Sequence, residues 1–194
     1  EGFYYKPRVD KELLAQYSDD LIALTACLAG EIPTHLGRGE IKLAEQSLGD
    51  YIDIFGKENL YLEIMDHGIA EQQPVNEALI KLSKDSGIKL VATNDIHYLN
   101  AKDAEAHDVL LCIQTNSTLD DPKRLRFGTQ EFYFKTPDQM ARLFSHVPEA
   151  LANTVEIADR CNVEFDFGRL KLPDPGVPKD IAPGDYMYQQ AFEG

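Results

Sequence analysis

Five side chains with the chemistry of metal ligands lie in or just after short apolar runs of this sequence: Cys27, Glu63, His67, Asp95 and His97. Asp95-Ile96-His97 is the most specific pattern, because alternate side chains of an extended chain point to the same side and can reach one ion together. A carboxylate with an imidazole suits zinc, manganese or iron, and a thiolate from Cys27 favours zinc. Two or three such ions, held close together, serve phosphoester hydrolysis by lowering the pKa of the attacking water.

Each of these residues also has an ordinary structural interpretation. Asp-x-His is a common spacing, and Cys27 after an apolar run is typical of a small buried hydrophobic residue. His67 beside Gly68 could cap the following helix, and Glu63 could pair with a neighbouring cation. The metal hypothesis is favoured because three consecutive apolar runs deliver candidate ligands at equivalent positions.

Three strand-then-helix units position these side chains. The strands are predicted from short apolar runs at Leu21–Thr25, Leu60–Ile64 and Ile88–Thr93. Apolar residues at three- and four-residue spacing predict the helices that follow: one from Ile41 to Phe55 closed by Gly56, one that carries Val75 to Leu82 and ends at Gly87, and one from about Lys102 to Gln114. This alternation predicts a parallel sheet with right-handed crossovers, in which sites form at the carboxyl ends of the strands.

The pattern changes after Thr115. The sequence predicts a short strand at Glu131–Lys135, a helix that begins with a capping box of Thr136 and Gln139, and a helix after Pro148 with Leu151, Val155 and Ala158 inward. From Leu172 a proline-rich run predicts an extended linker, because proline neither continues a helix nor fits a central strand.

Composition bounds the class of protein. The chain has 194 residues, 43% hydrophobic and 27% charged, which indicates one globular domain and excludes disordered and fibrous proteins. Its 33 acidic and 19 basic residues give a net charge of -14, so general nucleic-acid binding by these residues alone is not expected. The sequence has no apolar run of membrane-spanning length and no disulfide framework, which predicts a cytoplasmic protein without a membrane partner.

The number of strands raises a question of completeness. Three strands are few for a closed barrel, so the sheet is either open or lacks strands that would precede Glu1. We favour the second interpretation, because Glu1 is not an initiator methionine and the chain is expected to be part of a longer protein.

Four motifs give the sequence a family resemblance: Gly2–Arg8, Leu24–Pro33, Tyr61–Gly68 and Val91–Tyr98. In this order they resemble the N-terminal polymerase-and-histidinol-phosphatase (PHP) domain of the bacterial replicative, C-family DNA polymerase III alpha subunits. The resemblance continues through Phe127–Lys135 and into Leu172-Pro173. It therefore covers nearly the whole chain.

The resemblance implies an α/β fold, here an incomplete, distorted (β/α)7 PHP-type barrel with parallel strands, followed by helices and a proline-rich linker. Residues 1–165 would be the C-terminal part of the PHP domain, and residues 166–194 would be the linker into the polymerase domain. The catalytic aspartates of the polymerase would follow residue 194, and the paired histidines of the first PHP strand would precede Glu1.

The same resemblance implies a metal site of up to three ions at the carboxyl ends of the strands. Cys27, Asp95 and His97 match later metal positions of the family, together with either Glu63 or His67, between which the resemblance does not decide. Zinc or manganese is implied for the PHP site and magnesium for the parent polymerase.

The function implied is DNA-directed DNA synthesis in chromosome replication by the parent. The PHP domain would support the polymerase body and either act as a 3′-5′ exonuclease or dock a proofreading subunit. The partners implied are primer-template DNA, deoxynucleotides, a proofreading exonuclease and a sliding clamp. The alternatives are a free-standing PHP phosphatase that acts on histidinol phosphate, which the long segment after Gln114 disfavours, and a non-catalytic interaction module.

Overall fold

The computed structural model describes residues 5–165, 167–168 and 176–193. Two predicted features therefore lie outside the described residues in part: the first motif from Gly2 to Tyr4, and the linker through Leu172 and Pro173. The chain divides into two compact units, Glu1–Cys161 and Asn162–Gly194. All of the candidate ligands belong to the first unit.

A three-stranded parallel sheet lies at the centre of the first unit, with β1 (Ala23–Leu24), β2 (Leu60–Ile64) and β3 (Lys89–Ala92) in that order. Ala23 pairs with Leu60 in one ladder, and Tyr61 pairs with Lys89 in the other. Every residue of β2 is buried, as expected for a central parallel strand. The predicted parallel arrangement is confirmed, and the structure defines a mixed α/β fold; it does not confirm a (β/α)7 barrel.

The described residues form eight α-helices, and the three predicted to follow the strands are among them. They are α1 (Lys11–Gln16), α2 (Glu31–Gly37), α3 (Ile41–Phe55), α4 (Gln72–Ser86), α5 (Ala104–Thr115), α6 (Pro137–Leu143), α7 (Pro148–Arg160) and α8 (Pro183–Glu193). Short 3-10 helices precede β2 at Lys57–Asn59 and α5 at Ala101–Asp103. The sequence analysis did not predict α1, α2 or α8, and α8 lies within the segment predicted to be a linker.

Local signals set the ends of several helices. Gly56 and Gly87 both have φ of 75°, a backbone conformation that favours glycine and ends α3 and α4. Thr136 accepts a hydrogen bond from the Gln139 backbone, and the Gln139 side chain accepts one from the Thr136 backbone. The predicted capping box of α6 is therefore confirmed.

Two predictions about the later part of the chain are wrong, the second of them only in part. Glu131–Lys135 does not form a strand; it makes one isolated parallel bridge, between Tyr98 and Tyr133. On α7, Leu151 packs against the hydrophobic core as predicted, and Ala150 beside it is fully buried. Val155 is 61% exposed and Ala158 is also exposed, so the predicted inward placement of these two residues is wrong.

The hydrophobic core lies between the sheet and the helices on its faces. It includes one side of α3 and α4, the sheet residues and part of α7, with Leu48, Leu62, Leu79, Leu90 and Phe144 among its members. No helix within the described residues is both long enough and apolar enough to cross a membrane.

A network around Glu31 joins α1, α2 and α3. The Glu31 carboxylate accepts hydrogen bonds from Lys11 Nζ (2.8 Å), Ser47 Oγ (2.7 Å) and Tyr51 Oη (2.8 Å). Lys11 also lies over the Tyr51 ring and binds Asp50. Burial by itself raises the pKa of Glu31, but these three donors outweigh it and lower the pKa to about 2.

Two leucines on α3 test where the core lies. We expect Leu48→Ala, at a position 3% exposed, to lower the free energy of unfolding by about 3 kcal/mol through lost burial and a cavity. The matched control Leu43→Ala, at a position 45% exposed on the same helix, is expected to cost less than about 0.5 kcal/mol. Urea unfolding measures both, and equal costs would contradict this placement of the core.

The Glu31 network predicts a pH dependence of stability. Because folding lowers the pKa of Glu31 from 4.5 to about 2, the ionised carboxylate stabilises the folded chain at pH values above 4.5, and this contribution is lost as the pH falls towards 2. At neutral pH, wild type is therefore expected to have a larger free energy of unfolding than Glu31→Gln. This difference is expected to shrink as the pH falls from 4.5 towards 2. Urea unfolding from pH 7 to pH 2 measures it, and a constant difference would refute the assignment.

Candidate metal site at the carboxyl ends of the strands

The Glu63 side chain joins the ends of all three strands. Its Oε2 accepts a hydrogen bond from the Ala26 backbone N–H (2.9 Å), and its Oε1 accepts one from the Thr93 hydroxyl (2.6 Å). The Glu63 backbone N–H in turn donates to Thr25 Oγ1 (2.9 Å). Each oxygen of this buried carboxylate thus has one hydrogen-bond donor, and the side chain links β1, β2 and β3 at the edge where sites form in parallel sheets.

The turn that carries Cys27 is tight. Ala26 has φ of 65°, which is uncommon for a residue with a side chain and persists only when the surroundings hold it. The Gly30 N–H donates to the Cys27 carbonyl (2.8 Å), and a Cβ on Gly30 would come within 2.2 Å of the Thr25 carbonyl oxygen. Only glycine fits there. Cys27 is exposed, which contradicts the alternative interpretation of it as a small buried hydrophobic residue.

His67 is 1% exposed and uses both of its ring nitrogens. Nε2 lies 2.8 Å from the Asn94 carbonyl oxygen, and Nδ1 lies 2.9 Å from Gln72 Nε2. The His67 backbone N–H donates to Gln72 Oε1 (2.8 Å). The imidazole stacks on the Phe132 ring with a centroid distance of 4.1 Å and an interplanar angle of 10°.

The side chains of Asp95 and His97 are in contact. Asp95 Oδ1 lies 3.3 Å from His97 Nε2, and the two side chains are 39% and 33% exposed. Asp95 has φ of 44°, so the backbone here is left-handed rather than the extended strand end that the sequence predicted. The pairing is therefore produced by a turn after β3, although the donors are the predicted ones.

Three aromatic rings lie against His97. His107, Phe127 and Phe132 contact it edge-on, with centroid distances between 4.8 and 5.4 Å. Burial, and then the neighbouring His97, lower the pKa of His107 below its ordinary value. A cavity of about 310 Å³ opens beside these rings, and its wall includes Arg124, which is paired with Asp108.

The predicted ligands do not form a self-contained metal centre. Within the described residues, no group of three or more His, Cys, Asp or Glu side chains could hold an ion. Asp95 and His97 are in contact, whereas Glu63 reaches the backbone beside Cys27 and His67 reaches the backbone beside Asp95. Since a zinc site takes three or four protein ligands, Asp95 and His97 fit part of such a site and not the whole.

Five residues that hold this region together were not predicted from the sequence: Thr25, Gln72, Thr93, Asn94 and Phe132. Thr25 and Thr93 each end an apolar run, which is a signal that was available in the sequence. No local signal marks Phe132, which lies far along the chain from both histidines that it contacts.

Comparison with known proteins first defines the class of domain. Residues 1–67 match the family model of the PHP domain. This stretch includes the Cys27 turn, β2 with Glu63, and His67.

Comparison with individual related proteins identifies the family more specifically. The chain is 45% identical over 192 residues to a DNA polymerase III subunit alpha of Treponema pallidum, which covers 99% of this chain and 16% of that protein. It is 41% identical over 200 residues to the one of Thermus aquaticus, with coverage of 100% and 16%, and 41% identical to the one of Borreliella burgdorferi, with coverage of 100% and 17%. The predicted resemblance is confirmed: the chain is similar over nearly its whole length to the alpha subunits of bacterial DNA polymerase III, and its residues 1–67 match the PHP domain. It spans about one sixth of the length of these relatives.

Two substitutions at Glu63 separate hydrogen bonding from charge. We expect Glu63→Leu to lower the free energy of unfolding by about 2 to 3 kcal/mol, because it leaves the Ala26 N–H and the Thr93 hydroxyl without a buried partner. Glu63→Gln is expected to cost less than about 1 kcal/mol, since its carbonyl can accept from Ala26 while its amide donates to Thr93. Urea unfolding measures both, and an equal loss in the two variants would show that the charge itself is required.

Proposed function

We propose that this chain is the PHP segment of a bacterial replicative DNA polymerase alpha subunit, whose parent carries out DNA-directed DNA synthesis in chromosome replication. The observation that carries the proposal is 45% identity over 99% of the chain to an alpha subunit. Primer-template DNA, deoxynucleotides and magnesium then belong to the parent's polymerase centre. A net charge of -14 is consistent with DNA contacts made mainly by other parts of the parent.

The proposed domain boundaries follow from the same relationship. Residues 1–165 are assigned to the C-terminal part of the PHP domain, and residues 166–194 are assigned to the linker towards the polymerase domain. The boundary of the first compact unit at Cys161 supports this division. The proposed partners of the parent in the replisome are a proofreading exonuclease, for which the PHP domain is a docking platform, and a sliding clamp.

We assign the parent to the cytoplasm. Cys27, Cys112 and Cys161 are all free cysteines, which suits a reducing compartment. This agrees with a role in replication.

We further propose that Cys27, Asp95 and His97 contribute to a zinc or manganese site that other residues of the parent complete. Asp95 and His97 support it because a carboxylate oxygen and an imidazole nitrogen already face each other at 3.3 Å. A bound metal would supply an activated water for phosphoester hydrolysis, the chemistry of a 3′-5′ exonuclease. The residues of this chain orient the two donors, and the aromatic rings that contact His97 cover part of its imidazole.

Substrate choice by the full-length parent tests the overall assignment. We expect the purified parent to extend a primed DNA template with deoxynucleotides and magnesium, and to release no phosphate from histidinol phosphate. Both assays use the same preparation and equal protein concentrations. Hydrolysis of histidinol phosphate without primer extension would instead support a free-standing phosphatase.

Substitution of Asp95 tests the metal role. We expect Asp95→Asn in the full-length parent to lower bound zinc or manganese at least about tenfold after dialysis, because an amide is a much weaker ligand than a carboxylate. Asparagine also tolerates a left-handed backbone, so folding is expected to be preserved at φ of 44°. His146→Gln, at an exposed histidine elsewhere, is the matched control and should keep the metal. A parent without bound metal, and with unchanged stability in Asp95→Asn, would refute the proposal.

A further inference from the structure

We propose that His67 is a positioning residue and not a metal ligand: as a neutral imidazole with its proton on Nε2, it holds the Asn94 carbonyl and so orients Asp95 and His97. The inference deepens the proposed function, because the segment that His67 holds carries two of the proposed ligands. It also separates Glu63 from His67, between which the family resemblance does not decide.

The hydrogen bonds of Gln72 determine the protonation of the ring. The His67 backbone N–H can only donate, so the Gln72 atom 2.8 Å from it is the carbonyl oxygen. The amide nitrogen of Gln72 therefore faces His67 Nδ1 at 2.9 Å, and because an amide NH₂ only donates, Nδ1 must accept. The remaining proton of the neutral ring is then on Nε2.

The Asn94 carbonyl requires the same state of the ring. A carbonyl oxygen only accepts, so His67 Nε2, 2.8 Å away, must donate. Both ring nitrogens are thus used, one as acceptor and one as donor, and neither has a lone pair left for an ion. A carboxylate differs in this respect: Glu63 accepts one hydrogen bond on each oxygen and keeps further lone pairs.

The segment after Asn94 needs such a support. Asp95 is left-handed, a conformation that is uncommon outside glycine and that aspartate and asparagine adopt more readily than other residues, so contacts on both sides of it decide how firmly the turn is held. His67 fixes the peptide on one side of Asp95, while on the other side the His97 N–H donates to the Phe132 carbonyl (2.9 Å). Phe132 also stacks on the His67 ring, so the two residues that hold the turn at Asp95 contact each other.

Hydrogen exchange in the full-length parent tests the positioning role without any metal. His67→Phe keeps a ring against Phe132 but removes the Nε2–H. We expect the metal-free variant to exchange the His97 and Tyr98 amides about tenfold faster than wild type, as measured by mass spectrometry of the peptide that contains them. Exchange in β2 should not change, which separates a local release from general destabilisation. His146→Phe, at an exposed histidine, is the control and should match wild type.

Cobalt(II) absorption adds a readout of the ligand set, with Co²⁺ alone as the probe. We expect His67→Phe to bind Co²⁺ several-fold more weakly with the wild-type spectrum, whereas His97→Gln changes the spectrum because it removes a ligand. If wild type binds no Co²⁺, the proposed metal role fails, and the exchange experiment still decides whether His67 positions the turn.

Either of two results would overturn the inference. One is an unchanged exchange rate at His97 and Tyr98 in His67→Phe, and the other is a change of the Co²⁺ spectrum in that variant like the one in His97→Gln. If His67→Phe does not fold, Gln72→Leu replaces it, because it frees both His67 Nδ1 and the His67 backbone N–H. The expected result is again faster exchange at His97 and Tyr98 with β2 unchanged, and equal exchange would reject the proposal.

Discussion

The carboxylate of Glu63 is the interaction on which this end of the molecule depends. It lies in the central strand, and its two oxygens accept from the Ala26 backbone after β1 and from the Thr93 hydroxyl after β3. Parallel strands are not joined by a tight hairpin that would align their ends. Here the Glu63 side chain aligns them, because it is hydrogen-bonded to residues that follow both neighbouring strands. Because the carboxylate is buried, losing either donor would leave a polar group unpaired, which makes the arrangement specific.

A left-handed residue held by a buried side chain occurs at two positions beside the candidate ligands. Cys27 follows a left-handed Ala26 whose N–H is bound by Glu63, and Asp95 is itself left-handed beside a carbonyl bound by His67. This conformation is uncommon for residues with a side chain, although aspartate adopts it more readily than alanine, and it persists where the surroundings hold it. The buried side chains of Glu63 and His67 thus hold the two turns that carry the candidate ligands Cys27 and Asp95.

A comparison of α6 with the Glu131–Lys135 segment shows why some predictions succeeded. The capping box of Thr136 and Gln139 is a contact between near neighbours, so its sequence signature is sufficient. Glu131–Lys135 has the composition of a strand, but in the structure it makes a single bridge, at Tyr98, and places Phe132 between two histidines. Composition alone does not say whether a partner strand is available along the whole segment.

The sequence by itself determined the strand-then-helix order, the glycine ends of α3 and α4, the identity of the Asp95 and His97 donors and the relationship to the polymerase alpha subunits. These depend on residue type and short spacing. Only the tertiary structure decided that Asp95 and His97 meet through a left-handed turn, that Cys27 is exposed, and that Glu63 and His67 bind backbone groups of other segments. The hydrogen bonds of Glu63 and His67 join residues 27 to 37 positions apart, a relation that local spacing does not encode.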